Sequence, residues 1–225
     1  MLVQLPNPDI LSTPYHYSAR WHAPSKSRRI AEFTAGRFCA LQALNALRPG
    51  ESHDIAAFPD GSPRWPAGIV GSITHTESFV SAAIAESSRF AAIGIDSEKL
   101  PSPDTLDTVE DLVILDEEQR LLAELPLSPI QGRILVFSAK ESVYKCLQPL
   151  IQRPFDFSAV CLDAIHVSIG AFTFHLTEFL HPKFPAAFRA QGRFAFSHDC
   201  VHTGVELEKK ALFRSGEKPK ESKSL

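Results

Sequence analysis

Two carboxylates lie one residue apart at the end of an apolar stretch, AAIGIDSEKL, residues 91–100. The apolar residues predict a buried strand, in which alternate side chains point to the same face. Asp96 and Glu98 would then hold two like charges side by side, and a bound cation would relieve their repulsion. Taken alone, the pair is also typical of a strand end that caps the following turn.

A third carboxylate, Glu141, lies in RILVFSAKESVYKCLQPLI, residues 133–151, which we predict to be a helix. One side of this helix is apolar, while the other places Glu141 between Phe137 and Tyr144, so the helix is expected to lie between two layers. Taken alone, Glu141 and Lys145 indicate a surface ion pair at i,i+4 spacing, which contributes ~0.3–0.5 kcal/mol.

Together the three acids form a set of hard oxygen donors drawn from a strand and a helix. Mg²⁺ favours such a set and completes its octahedron with water or substrate phosphate oxygens. We therefore predict a magnesium site formed by Asp96, Glu98 and Glu141.

The surrounding pattern predicts the elements that position these acids. Residues 25–47 have helical apolar spacing and end at Pro49 and Gly50, and residues 1–24 are expected to be irregular. Residues 60–68 form a predicted loop, and three short strands follow in IVGSITHT, FVSAAIAES and FAAIGIDSE.

The order of a long helix and short strands occurs twice. Residues 100–108 break the pattern, residues 109–125 are predicted to be helical, and further strands follow Pro154. We predict an α+β fold of two halves packed together, each a long helix on a small, mostly antiparallel sheet. The predicted units are residues 1–103, residues 104–214 and a disordered tail, residues 215–225.

Composition excludes several classes of protein. The chain of 225 residues carries a formal net charge of −3 and has no basic, aromatic stripe, which argues against nucleic-acid binding. It has neither a secretion signal nor an apolar run long enough to span a membrane, so we expect a cytoplasmic location. Its four cysteines are far apart and are expected to be reduced thiols.

The motifs GSITH (71–75), IGIDSE (93–98) and FSAKESVYK (137–145) occur in this order. They resemble the surfactin-type 4′-phosphopantetheinyl transferases, and within them the bacterial branch of the enterobactin synthase component. AEFTAGRFCA and SPRWPAGIVGSITH also resemble that branch, and the likeness covers roughly residues 25 to 155. The resemblance implies that the two α+β halves are similar, related by a pseudo-twofold, with the active site between them.

The resemblance implies transfer of 4′-phosphopantetheine from coenzyme A to a serine of an acyl or peptidyl carrier protein, with release of adenosine 3′,5′-bisphosphate. It implies that Asp96, Glu98 and Glu141 hold Mg²⁺, or Mn²⁺ in its place, on the pyrophosphate. It also implies proton transfer to Glu141, directly or through water. Lys145 would bind phosphate, and we assign Asp96, Glu141 and Lys145 to catalysis.

The resemblance also implies a set of residues that bind coenzyme A. His75, with Ser72 or Thr74, would contact the 3′-phosphate or the pyrophosphate, and Trp65 is open between walling the adenine pocket and simple packing. Positive charge for the phosphates would come from Arg28, Arg29, Arg37, Arg64, Lys140 and Lys145.

Two alternatives stay open at this point. One is a relative that binds carrier proteins without catalysing transfer. The other is a zinc protein using His198, Cys200 and His202, although a strand there would separate the two histidines by about 13 Å at ~3.3 Å per residue.

The acceptor is expected to serve secondary metabolism, such as siderophore, nonribosomal peptide or polyketide synthesis, while fatty-acid carrier protein stays open. Apolar residues of VEDLVILDEEQRLL, residues 109–122, are a hypothesis for the carrier-docking surface, tested by Leu115→Asp. We expect a monomer, because a chain with two halves needs no partner to complete the site.

Overall fold

The structure is a computed structural model that describes residues 10–16, 25–77, 79–100, 114–197 and 199–214. Helices and antiparallel sheets occur together, which confirms the predicted α+β class. The helices are α1 (Ser25–Leu47), α2 (Asp116–Ala123), α3 (Pro129–Ile151) and α4 (Lys209–Arg214). The strands are β1 (Leu11–His16), β2 (Ala56–Ala57), β3 (Pro63–Arg64), β4 (Ile69–His75), β5 (Phe79–Glu86), β6 (Phe90–Lys99), β7 (Val160–His166), β8 (Ala171–Leu176), β9 (Arg189–Phe196) and β10 (Cys200–Glu208).

The first helix packs on a three-stranded sheet with the order β1-β5-β4. Helix α1 has the predicted bounds, and Cys39, Ala40, Ala43 and Leu44 form its buried side. Strand β1 differs from the prediction, because residues 11–16 pair antiparallel with β5 rather than being irregular. Its Pro14 occupies an edge strand, where a missing N–H group is tolerated.

The second sheet has five antiparallel strands in the order β6-β10-β9-β8-β7, and α3 packs against β6 and β10. Strand β6 precedes the predicted boundary at residue 103, so this sheet contains one strand from the predicted first half. The boundary itself falls in residues 101–113, outside the described residues, and it stays a prediction. The pseudo-twofold relation of the halves also stays a prediction.

Helix α3 is positioned by its cap and by a close backbone contact. The Ser128 hydroxyl accepts a hydrogen bond from Gln131 N, and the Gln131 side chain accepts one from Ser128 N, so the N-terminus is closed by a capping box. A Cβ atom at Gly94 would lie 1.9 Å from the Ser142 carbonyl oxygen, so α3 lies directly against β6. This approach brings the Asp96 region of β6 next to the Glu141 region of α3.

The predicted two-sided burial of α3 is confirmed. Its apolar side faces the sheet, and on the other side Phe137 contacts Phe157 while Tyr144 contacts Phe155. The second layer is therefore the segment that follows α3.

Two other expectations concern cysteines and membrane spans. All four cysteines are buried, and none of them is in a disulfide in this structure. Their reduced state stays a prediction. None of the described helices is both long and apolar enough to cross a membrane. The predicted disordered tail, residues 215–225, lies outside the described residues.

Candidate active site

Asp96 is a buried carboxylate at the centre of the candidate site, with 3% of its surface exposed. Lys145 Nζ of α3 lies 2.5 Å from Asp96 Oδ1, and Thr74 Oγ1 of β4 donates to the same oxygen at 3.3 Å. Ser138 Oγ of α3 donates to Asp96 Oδ2 at 2.8 Å. Donors from two neighbouring elements thus satisfy a charge that would be costly to bury unpaired.

Thr203 extends this network from the neighbouring strand, β10. It lies opposite Asp96 in the β6–β10 register, and its Oγ1 donates to the Ser138 carbonyl oxygen at 2.8 Å. The two hydroxyl oxygens of Ser138 and Thr203 are 2.9 Å apart. The Asp96 carboxylate is therefore held against α3 by β10 as well as by its own strand.

Glu98 and Glu141 share the electrostatic environment of Asp96. The pKa of Glu98 is raised to about 7, chiefly by burial and also by the charges of Asp96 and Glu141, while Lys145 opposes the rise. Burial likewise raises the pKa of Glu141, with Lys145 lowering it and Asp96 raising it. The charge of Asp96 thus acts on both glutamates, and that of Glu141 acts on Glu98.

His75 lies at the end of β4, with Nδ1 4.0 Å from Glu32 Oε2 of α1. Its partly buried position lowers its pKa, while Glu32 raises it, Lys145 lowers it and Asp96 raises it. The charges of Lys145 and Asp96 therefore act on His75. Its predicted contact with coenzyme A stays a prediction.

Ser72 and Thr74, both buried, connect β4 to β6. Ser72 Oγ accepts a hydrogen bond from Ile95 N at 3.1 Å, and Thr74 donates to Asp96. Both side chains therefore fix the position of the strand that carries Asp96. A contact of either hydroxyl with coenzyme A stays a prediction.

The predicted phosphate-binding arginines lie around α1 and the β2–β3 hairpin. The Arg37 guanidinium stacks on Phe33 at 4.6 Å from the ring centroid and donates to the Gly61 carbonyl oxygen at 3.3 Å. Arg64 lies 6.0 Å from the Phe58 ring centroid. Arg29 is exposed, and the Arg28 side chain falls outside the described part of the chain.

The structure contradicts the assignment of Lys140 to coenzyme A. Lys140 is fully buried, and its Nζ lies 2.7 Å from Glu118 Oε2, also fully buried. Glu118 accepts two further hydrogen bonds, from Leu115 N at 2.8 Å and Leu162 N at 2.9 Å. Lys140 therefore joins α2 to α3 inside the protein and is not available to a ligand.

Trp65 packs against the core under α1. A Cβ atom on Gly71 would lie 2.9 Å from its ring, so the indole sits directly on β4. Of the two interpretations left open by the sequence, packing is the one for which the structure gives contacts.

The donor chemistry of the site fits a hard divalent cation. Asp96 and Glu98 lie on one face of β6, and Glu141 lies on the adjoining α3. Their mutual repulsion is what a cation would relieve. Across the described ranges, however, no three His, Cys, Asp or Glu side chains already form a group that could hold a metal ion. Lys145 supplies the positive charge at Asp96 in this structure.

Comparison with known proteins gives two family matches. Residues 19–85 match the 4′-phosphopantetheinyl transferase N-terminal domain, and residues 92–196 match the 4′-phosphopantetheinyl transferase superfamily. 4′-Phosphopantetheinyl transferase Svp of Streptomyces mobaraensis is 36% identical over 172 residues, covering 75% of this chain and 68% of Svp. The chain belongs to the 4′-phosphopantetheinyl transferase family.

Other relatives of this transferase include 4′-phosphopantetheinyl transferase Npt of Nocardia iowensis, 38% identical over 136 residues, with 60% of this chain and 59% of Npt covered. Enterobactin synthase component D of Salmonella typhi is 32% identical over 167 residues, with 72% of this chain and 66% of the relative covered. The matches thus span between 59% and 68% of these relatives' own length. They confirm the family and the branch that the motifs predicted.

The zinc alternative gains no support in this transferase. Both ring nitrogens of His202 contact serine hydroxyls, Ser97 Oγ at 2.8 Å from Nδ1 and Ser197 Oγ at 3.1 Å from Nε2. Cys200 is buried, and residue 198 lies outside the described residues. His202 therefore has no nitrogen left to bind a metal ion.

The hypothetical carrier-docking segment is less exposed in this transferase than expected. Ile114, Leu121 and Leu122 are partly buried and pack against the core of the second sheet. Residues 109–113 lie outside the described residues. The docking hypothesis for this segment stays a prediction.

Sequence reasoning missed Ser138 and Thr203, which hold Asp96. Ser138 could have been found, because Ser138, Glu141 and Lys145 follow one another at helical spacings of three and four on one face. Thr203 could not, because it reaches the site through strand pairing across the chain.

Proposed function

We propose that this transferase moves the 4′-phosphopantetheine group of coenzyme A onto a serine of an apo carrier protein, in a Mg²⁺-dependent reaction that releases adenosine 3′,5′-bisphosphate. Family membership supports the reaction type. The single observation that carries the site is the contact between Lys145 Nζ and Asp96 Oδ1 at 2.5 Å. It joins the Asp-x-Glu strand to the Lys-Glu-x-x-x-Lys helix.

Asp96, Glu98 and Glu141 would hold the divalent ion. When bound, Mg²⁺ supplies positive charge to the crowded pyrophosphate oxygens and orients them for displacement. The carboxylates contribute the negative charge that selects a dication. The bonds from Ser138 and Thr74 to Asp96 hold its carboxylate in one orientation.

Cationic side chains around the cleft would bind the phosphates. The half-buried Arg37 guanidinium donates to the Gly61 carbonyl oxygen through one terminal nitrogen, and its planar fork of donors suits a phosphate. Lys145 lies beside the acids, and His75 ends β4 in the same region. Arg28, Arg29 and Arg64 are further candidates for this positive surface.

The transfer step needs a proton acceptor for the carrier serine. The serine oxygen forms a bond to phosphorus, and the bond from that phosphorus to the departing bisphosphate oxygen breaks. The serine proton goes to Glu141, directly or through one water molecule. Glu141 suits this because it is a half-buried carboxylate on the helix that also carries Lys145.

Relatives named Enterobactin synthase component D favour carriers of secondary metabolism, such as siderophore, nonribosomal peptide or polyketide synthesis. We place this activity in the cytoplasm and expect a monomer to perform it.

The test incubates the purified protein with coenzyme A, Mg²⁺ and a panel of apo carriers from siderophore, peptide, polyketide and fatty-acid synthesis. Intact mass measurement is expected to show the gain of one phosphopantetheine group on at least one carrier. EDTA is expected to abolish the gain, and Mg²⁺ or Mn²⁺ to restore it. Binding of carriers with no mass gain on any of them would favour the non-catalytic alternative.

A further inference from the structure

His202 is a buried histidine that the proposed reaction does not use. Only 6% of its surface is exposed, and it lies in β10 directly opposite Ser97 of β6. Ser97 is the one residue between Asp96 and Glu98. His202 is therefore paired with the middle of the Asp-x-Glu motif.

Both ring nitrogens of His202 are held. Ser97 Oγ lies 2.8 Å from Nδ1, and Ser197 Oγ, at the end of β9, lies 3.1 Å from Nε2. The Phe79 ring of β5 packs at 4.9 Å between centroids with a tilt of 55°. A neutral imidazole has one donor and one acceptor nitrogen. The Ser197 hydroxyl donates to the Cys200 carbonyl oxygen at 3.4 Å, so both bonds form when Nε2 donates to Ser197 and Nδ1 accepts from Ser97.

The strand geometry transmits this restraint to the acids. In a strand, Ser97 points away from the face that carries Asp96 and Glu98. Fixing the Ser97 side chain therefore fixes the rotation of β6 about its own axis, and with it the direction in which both carboxylates leave the strand. The restraint is needed because the two carboxylates repel each other.

Strand β10 also contacts the face of β6 that carries Asp96, through the residue that follows His202. Thr203, which follows His202, bonds to Ser138, and Ser138 bonds to Asp96. Two adjacent residues of β10 thus act on opposite faces of β6. His202 contacts Ser97 on one face, and Thr203 supports Asp96 on the other face through Ser138.

We propose that His202 is a positioning residue of the acid site, which holds β6 through Ser97 so that Asp96 and Glu98 face the divalent ion together. This rests on the proposed function. His202 touches neither coenzyme A nor the carrier in this account.

The test uses replacements that keep different halves of the imidazole. The amide of His202→Asn lies near the position of Nδ1 and keeps the bond to Ser97, whereas that of His202→Gln lies near Nε2 and keeps the bond to Ser197. His202→Leu keeps neither. Mn²⁺ affinity of the full chain with coenzyme A is measured by electron paramagnetic resonance, together with the melting temperature.

We expect His202→Gln and His202→Leu to weaken Mn²⁺ binding by roughly tenfold, as loss of an outer partner of a metal ligand does, and His202→Asn to weaken it less. The melting temperature should fall in all three variants. His175→Leu is the matched control, because His175 of β8 bonds to Asp163 of β7. These two strands lie at the opposite edge of the sheet from β6, which carries Asp96 and Glu98. It should lower the melting temperature and leave Mn²⁺ affinity unchanged.

Equal Mn²⁺ affinities of His202→Asn and His202→Gln, or wild-type affinity in His202→Leu, would overturn the positioning role. If the His202 variants fail to fold, Ser97→Ala decides, since it removes only the bond nearest the acids and must weaken Mn²⁺ binding. A wild-type protein that modifies no carrier sinks the proposed function itself. A wild-type protein that modifies carriers, with His202 variants unaffected, sinks only this inference.

Discussion

At the scale of single residues, Asp96 shows how the fold prepares an acidic site. Its two carboxylate oxygens receive Lys145, Thr74 and Ser138, so a buried charge is fully satisfied by polar neighbours. Hydrogen bonds to charged groups contribute ~1.5–3 kcal/mol each, so this arrangement is stable without further partners. An incoming metal ion must therefore share Asp96 with Lys145.

Asp96→Asn and Glu141→Gln are expected to slow carrier modification by at least roughly a hundredfold, because each removes a charge that the proposed metal site needs. The amides match the carboxylates in size, so the proteins should stay folded in circular dichroism. Glu124→Gln, at an exposed position after α2, is the control and should keep the wild-type rate. A rate close to wild type in either site variant would break the assignment.

Lys145→Met is expected to strengthen Mn²⁺ binding in the absence of coenzyme A by roughly tenfold, because the ammonium no longer competes for Asp96 Oδ1. The same variant should slow transfer, since the predicted phosphate contact is lost. Titration of Mn²⁺ by electron paramagnetic resonance measures the first effect. Weaker Mn²⁺ binding in Lys145→Met would show that the lysine does not compete with the metal.

At the scale of elements, the site depends on how closely α3 lies on β6. Gly94 permits this contact, because any side chain there would meet the backbone of Ser142 and Cys146. The glycine of the Asp-x-Glu motif thus serves the packing that brings Asp96 to Lys145.

Gly94→Ala is expected to destabilise the protein by at least ~3 kcal/mol, since a backbone atom in the path of the new methyl forces α3 to move. Gly50→Ala is the matched control, because Gly50 has a positive φ of 84° and open space around it. That change should cost only ~1–2 kcal/mol of backbone strain. Urea unfolding measures both, and equal losses would contradict the account of the helix–strand contact.

The Glu118–Lys140 pair connects α2, α3 and the open edge of β7. Glu118 accepts the Leu162 N–H group of that edge strand, so its carboxylate also covers an unpaired backbone donor. Burial lowers the pKa of Lys140, and the charge of Glu118 opposes this.

Lys140→Met is expected to lower the free energy of unfolding by ~3–5 kcal/mol, because it leaves a buried carboxylate without its partner. The double variant Lys140→Met with Glu118→Gln should recover part of that loss, since the uncompensated charge is gone. Glu117→Gln, on the exposed side of α2, should change stability by less than ~0.5 kcal/mol. If the double variant recovers no stability, the loss in Lys140→Met does not come from the unpaired charge of Glu118.

At the scale of the whole molecule, β6 is the strand that connects the two sheets and the helix α3. It pairs with β10 in the larger sheet and packs against α3. It is also hydrogen-bonded to two side chains of β4 in the smaller sheet, Ser72 and Thr74. The acids therefore lie where the two sheets meet.

Much of this arrangement follows from local sequence. Helix α1 and strands β4, β5 and β6 have local signals, namely helical or alternating apolar spacing and clear turn residues, and the structure agrees with their predicted positions. The three motif acids lie on neighbouring elements, because β6 and α3 pack directly against each other.

The features that the sequence did not predict depend on partners far away in the chain. Strand β1 contains Pro14 and polar residues, and only its pairing with β5 makes it a strand. Lys140 was assigned to the coenzyme A phosphates, and only Glu118 of another helix accounts for its burial. His202 was considered as a metal ligand because the register that places it against Ser97 is not visible in sequence.

The most direct test of the central claim is Mn²⁺ affinity in the presence of coenzyme A, compared between wild type, Asp96→Asn, Glu98→Gln and Glu141→Gln. If carboxylates from β6 and α3 hold one ion, each substitution must weaken binding, Glu141→Gln included. Wild-type affinity in Glu141→Gln, with the two β6 variants impaired, would show that the helix does not share the metal and would contradict the account.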